Sequence, residues 1–375
     1  MLIAISNGLL YVALGVLMGT ALLNMIPKTN RPELHVPFPL VLGSALLLPV
    51  LSFPSLLEIA RSISAGRDRL LSEALEMVMF SFQIGTAWIS LTAASIALAL
   101  LIVLFYRKAE AHWSIYLASM AILAAIIGFQ ASVGHAASAS SLIGFTTHTM
   151  HYLAVSVWIG TLFVVSWFSK SYVNWEGFLE WFTLIAVGCV VLITMSGLIM
   201  SQIITESITG SWVLSYGQAL LLKHLLFAVI LLFAIFNAFF IRGRLKKDAS
   251  FSPRSWLRAE STVALTILAV TGFMTEQETP QRIERLLRSE GPSPLYALLF
   301  DSGPAGPSSP VFSFHGPGLV LILIGGLFAW LAYYSIKKEM SAWVVFGISL
   351  FFAISMFLGL ISMIGLEAAG TAGLF

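Results

Sequence analysis

The chain has 375 residues, 58% of them hydrophobic and only 10% charged, with a mean hydropathy of +0.92 and a formal net charge of +2. A soluble domain carries about 25% charged residues because water must solvate its surface, so this composition excludes a soluble globular protein and requires lipid as the solvent for most of the surface. The small net charge points away from nucleic acid as a partner, and the lone Cys189 rules out an intramolecular disulfide or a cysteine-rich metal motif.

Apolar runs long enough to cross a bilayer recur along the chain, separated by short polar breaks. The predicted spans are 2–26, 37–57, 79–106, 113–133, 147–169, 181–204, 214–240, 258–274, 318–334 and 343–366. The expected fold is therefore all-α, a polytopic transmembrane bundle of ten helices. The first run is longer than the roughly 7–15 apolar residues of a signal-peptide core and reads as a span. Three regions follow: an eight-span bundle over 1–274, an extracytoplasmic segment over 275–317, and two additional spans over 318–375. Within the middle segment Ile283, Leu286 and Leu287 fall on one helical face, opposite Arg282 and Arg285 in the main, which suits a helix lying on the membrane surface. The run from Gly303 to Pro310 reads as a flexible linker.

Orientation follows from Lys and Arg. With the N-terminus outside, the inner loops hold Lys28, Arg31, Arg107, Lys108, Lys170, Arg242, Arg244, Lys246, Lys247, Arg254, Arg258, Lys337 and Lys338. The outer loops keep only Arg61, Arg67, Arg69, Arg282, Arg285 and Arg288. Both termini are thus expected outside a bacterial cytoplasmic membrane. Tyr11 to Thr20 also aligns with Tyr152 to Thr161, and Gly85-Thr86-Ala87 with Gly217-Gln218-Ala219. Each pair is four spans apart, which a parallel four-helix repeat would require.

The histidines are unevenly placed. His135, His148, His151 and His315 fall at the outer ends of spans four, five and nine, and His224 in the outer half of span seven. His148 and His151 are three residues apart, about one helical turn. Imidazole is a ligand for copper, zinc, iron or nickel, so one reading is an outward-facing metal site. The plainer reading is that interfacial histidines merely sit where the membrane becomes wet. Lys223 lies about ten residues into its span, where a cation costs on the order of 2.5–3.5 kcal/mol unless it snorkels or finds a partner. It is either a functional charge or an anchor. Met77, Met79 and Met150 are candidate thioether ligands for Cu(I), although Met77 and Met79 point apart on a regular helix and methionine commonly serves packing. A Walker-type phosphate loop, a nucleophile elbow and a His-Glu-x-x-His motif are all missing, so no enzymatic activity is expected.

Gly134-His135-Ala136, His151 followed by Trp158 and Gly160, the run Ser215 to Lys223 continuing to Asn237, and Glu260 with Val270-Thr271 and Pro280 together resemble the copper resistance protein D (CopD) family. Phe82 to Trp88 is similar to the family's earlier glycine-aromatic segment, without the basic residue expected shortly after Trp88. The resemblance covers roughly residues 1–280 and implies copper import, often beside a separate extracytoplasmic copper carrier of the CopC type. On this view His135, His148 and His151 capture the ion, with His224 below and Lys223, His315, Met150, Met77 and Met79 as accessories. The sequence leaves Cu(I) and Cu(II) both open. Two other readings stand beside it. One is a haem b electron carrier or cupric reductase, with axial ligands His151 and His224 or His135 and His151. The other is a factor delivering copper to a respiratory oxidase.

Overall fold

The computed structural model describes residues 1–105, 112–170, 173–247, 251–300, 308–314 and 316–368. In chain order the helices are α1 (Leu2–Met25), α2 (Phe38–Arg67), α3 (Leu71–Ser81), α4 (Gln83–Phe105), α5 (Trp113–Ser132), α6 (His135–Ala139), α7 (Ser141–Phe168) and α8 (Trp175–Ile204). They continue with α9 (Ser215–Phe236), α10 (Arg242–Lys247), α11 (Arg254–Met274), α12 (Ile283–Ser289), α13 (Pro294–Leu299), α14 (Gly316–Lys337) and α15 (Ala342–Ser362). Among the described residues ten helices are long and apolar enough to cross a membrane, one for each predicted span. The helix is what the composition demands, because lipid offers no partner to an open backbone N–H or C=O. The chain divides into two compact units, Met1–Met200 with Phe236–Ser261, and Ser201–Ile235 with Thr262–Phe375.

In the first unit α1 and α7 pack along their length through glycine. A methyl group on Gly19 would lie 2.2 Å from the Gly160 carbonyl oxygen, and one on Gly160 would lie 2.2 Å from that of Gly15. Only the absence of side chains permits this approach, which is how membrane helices gain dispersion contact without a hydrophobic driving force. Further along the same contact the rings of Tyr11 and Tyr152 meet edge to face at 5.1 Å. Partners advance together in sequence, so the two helices run parallel. Tyr11 and Tyr152, and Gly19 and Gly160, are also the positions that the internal alignment equates. Leu14, Leu17 and Met18 of α1 join Leu48, Leu91, Leu98, Ile126 and Ile127 in the buried core.

The second span is longer than its hydropathy suggests, because α2 runs on to Arg67 through Pro49 and Pro54. Proline removes a backbone donor and loosens the helical ladder. Here Ser52 donates to the Leu48 carbonyl at 2.9 Å, and the Trp88 indole donates to that of Pro49 at 2.9 Å. At one end of this unit the basic loops close on each other. Buried Arg31 donates to the Ile26 carbonyl at 3.0 Å, His35 N–H to that of Phe168 at 2.9 Å, and Lys170 N–H to that of Glu33 at 2.8 Å.

In the second unit Glu206 ties two loops. Its N–H donates to the Pro280 carbonyl at 2.9 Å, and its carboxylate accepts from Ile283 N–H at 3.0 Å, the first residue of α12. A carboxylate there also suits the positive end of the helix dipole. The apolar face of α12 is as expected, but Ile283, Leu286 and Leu287 are buried inside the protein, with Arg282, Arg285 and Arg288 exposed. The linker expectation fails where it can be examined. Residues 303–307 lie outside the described residues, while Ser308–Phe312 forms strand β1, antiparallel to β2 (Ile364–Ala368), with Pro310 opposite Leu366. This pairing also ends the last span at Ser362, short of the predicted 366.

Candidate functional site

The histidine cluster is built at the start of α7, in the first unit. The chain leaves α5 at Ser132, turns through Gly134, and forms the five-residue helix α6 from His135 before entering α7. Two glycines allow the fold-back. A methyl on Gly144 would meet the Ala136 carbonyl oxygen at 1.8 Å, so α6 lies directly on the first turn of α7. A methyl on Gly134 would lie 2.6 Å from both Cε1 and Nδ1 of His148, so the imidazole rests against bare backbone.

His148 is half-buried and stacks on Tyr152, with ring centroids 6.3 Å apart and planes 19° from parallel. Tyr152 in turn meets Tyr11. The Tyr152 hydroxyl and the Ser156 hydroxyl one turn further on are buried without a hydrogen-bond partner among the described residues. His148, Tyr152 and Ser156 therefore form one polar strip on α7 at a spacing of four.

His151 looks elsewhere. Its Nδ1 lies 3.0 Å from the hydroxyl of Ser196 on α8, and its ring lies over Gly197, 3.6 Å from where a methyl would sit. The Ser196 hydroxyl also lies 2.5 Å from the Leu192 carbonyl, and when it donates there its oxygen is free to accept from His151. In that arrangement the neutral ring carries its proton on Nδ1 and its lone pair on Nε2, an orientation of the kind that outer partners impose on ligating histidines.

The structure thus places His148 and His151 on one helix with different neighbours, one at the α5–α6 turn and one on α8. His135 is exposed at the start of α6. Among the described residues no three His, Cys, Asp or Glu side chains form a group able to hold a metal ion. Met150 is 51% exposed on the outside of α7. Met79 packs against the small cluster of Leu56, Ala60, Ala74 and Val78, and Met77 is half-buried on the same regular helix α3. In the second unit Lys223 is half-buried and His224 exposed on α9. His315 lies outside the described residues. Sequence reasoning missed Ser196 and Gly197. Their only signal was a serine-glycine pair inside an apolar run.

These features define a multi-pass helical membrane protein with two oriented imidazoles near one end of a span. Residues 1–145 match the copper resistance protein D-like N-terminal domain, and residues 176–274 match copper resistance protein D. Together these segments take in well over half of the chain, which belongs to the copper resistance protein D family. His148 and His151 fall between the two matched segments, whereas His135 lies in the first and His224 in the second. The chain is also similar to the copper transport protein CutJ of Bacillus subtilis (strain 168), with 26% identity over 204 residues. That match covers 52% of this chain and 37% of the relative, so the chain spans well under half of that protein's length. No solved structure matches.

Proposed function

We propose that the protein carries copper ions across the bacterial cytoplasmic membrane, importing them from an outward-facing histidine site. The observation that carries the reading is the oriented pair His148 and His151 on α7 in a chain of the copper resistance protein D family. Charge supports the outward orientation of the site. Lys170 and the Arg258 contact to Ser166 lie at the opposite end of α7 from His148, some 18 residues or about 27 Å along the helix. The positive end of a span commonly faces the cytoplasm, which supports imidazoles on the outer side. A membrane potential then favours inward movement by about 2.3 kcal/mol per charge per 100 mV.

Ligands met in succession suit a carrier better than a closed cage, because an ion must leave as readily as it enters. His135 and Met150, both exposed, supply first contacts, and a separate carrier of the CopC type would dock on this side. Lys223 and His224 are assigned to later steps, and Met77, Met79 and His315 to accessory roles. Imidazole accepts either copper oxidation state. In this reading the protein is a transporter and not an enzyme. The test is cellular copper content with and without expression of the protein. Replacing His148 and His151 together by Ala should abolish the copper-dependent gain. Uptake equal to wild type in that double variant, or a Soret band in the purified protein, would overturn the reading, the second in favour of the haem b carrier.

A further inference from the structure

At the end of the first unit farthest from His148, α9 does not finish as an α-helix. It passes into a π-helical turn over Asn237–Ile241 before α10. Such turns are rare, disturb the regular ladder and are frequent at functional sites. Asn237, 3% exposed, donates from Nδ2 to Oε2 of Glu260 on α11 at 2.5 Å, and Glu260 is itself only 2% exposed. The carbonyl end of the Asn237 amide is buried with no hydrogen-bond partner among the described residues.

A bare carboxylate in a membrane span is costly, and such groups mark ion or proton paths. Among the described side chains on the adjoining elements, two cations have partners other than Glu260. Arg258 donates to the Ser166 carbonyl at 3.1 Å and lies over the Trp167 ring, Arg244 lies over Phe251, and Arg254 and Lys247 stand on α11 and α10. The facing end of α7 supplies Ser166 and Trp167, neither ionisable. Among the described residues no cation forms an ion pair with Glu260.

We propose that Glu260 and Asn237 form a proton site within the membrane, loaded and unloaded with a half-turn of the Asn237 amide. With Glu260 ionised, Nδ2–H donates to the carboxylate, the amide orientation that the structure has. With Glu260 neutral, the amide turns over and its carbonyl oxygen accepts the carboxyl O–H. Both states keep the Asn237 amide against the same Glu260 oxygen, so one heavy-atom arrangement accommodates both. The idle carbonyl oxygen is the acceptor held for the second state, and the π-helical turn supplies the backbone that the amide pivots on. One proton is gained or lost per cycle. That its movement is exchanged for copper rests on the transport reading above.

The experiment is infrared difference spectroscopy of the full chain in lipid nanodiscs across a pH titration, with copper flux measured in proteoliposomes in parallel. Wild type should show a carboxylic-acid C=O band that rises and falls with pH, absent in E260Q and displaced in N237A, which keeps the acid but loses its partner. E260D should restore a band. Carboxyl bands identical in wild type and E260Q, or unmoved in N237A, overturn the proposal. In flux, wild type should vary several-fold with pH and E260Q should be flat. A wild-type protein that moves no copper but keeps the band defeats the transport reading and leaves the proton site standing.

Discussion

Adding one methyl group at Gly160 should cost more than most substitutions in this chain. The new Cβ would lie 2.2 Å from the Gly15 oxygen, 2.8 Å from its carbonyl carbon and 2.9 Å from its Cα. All three are backbone atoms, so no rotamer change relieves the overlap, and α1 and α7 must part by more than about 1 Å to reach ordinary contact. Overpacking typically costs 1–3 kcal/mol, and backbone obstruction along the main helix pair argues for the upper end, about 3 kcal/mol. Replacing glycine by alanine inside a helix returns up to about 1 kcal/mol through propensity. The net expectation for G160A is a loss of about 2 kcal/mol. Heat inactivation of membrane proteins is commonly irreversible, so the measurement is the apparent thermal midpoint in detergent at a fixed scan rate. The control is G128A on α5, where a methyl meets nothing within 4 Å and only the propensity gain operates. G160A should melt several degrees below wild type and G128A at or above it. G19A, which strikes the Gly160 oxygen, should resemble G160A, and the double variant should lose less than the sum because both relieve the same crossing. If G160A matches G128A, the close α1–α7 approach is not a property of the folded protein.

Four further expectations follow from the same geometry. G134A strikes the movable ring of His148 and no backbone closer than 3.4 Å, so stability should be nearly unchanged while copper accumulation falls, as cellular metal analysis would show. S196A removes the acceptor that orients His151 and should weaken copper binding by about tenfold, in keeping with outer-partner effects at metal sites. Burial raises the Tyr296 phenol above its ordinary value of 10.0, and its hydroxyl donates to the Ile364 carbonyl at 2.6 Å. The neutral form is favoured in the fold, so its contribution is whole below pH 10 and lost as pH climbs through the raised value. Y296F should cost about 1 kcal/mol at neutral pH and melt with a shallower alkaline decline than wild type. Cysteine introduced at exposed Ser138 should be labelled by an impermeant reagent on intact cells, and cysteine at exposed Glu339 only after permeabilisation. The native Cys189 is buried and adds little background. The reverse pattern would put the His148 end of α7 on the cytoplasmic side and refute the outward-facing site.

Lipid leaves so few options that the span count was legible at once. Runs such as 2–26 and 113–133 differ by a residue at most from α1 and α5. Two spans depart from their hydropathy. α2 runs on through Pro49 and Pro54 to Arg67, and α15 stops early because Ile364–Ala368 pairs with β1. A five-residue strand whose partner lies more than fifty residues away leaves no periodic trace in either segment.

The site was legible only as a list. Composition and spacing alone dictated a ten-span helical membrane protein and placed histidine at one end of α7 and basic residues at the other, while the resemblance to the copper resistance protein D family singled out Gly134, Asn237 and Glu260. The tertiary fold decided which of these groups meet. It set His148 on Gly134, turned His151 towards Ser196, and brought Asn237 to Glu260 across 23 positions. Helical periodicity fixes a residue's angle on its own helix, whereas its neighbours depend on how closely other helices approach. In this protein that distance is set by backbone contacts at glycines, where no side chain remains to be read.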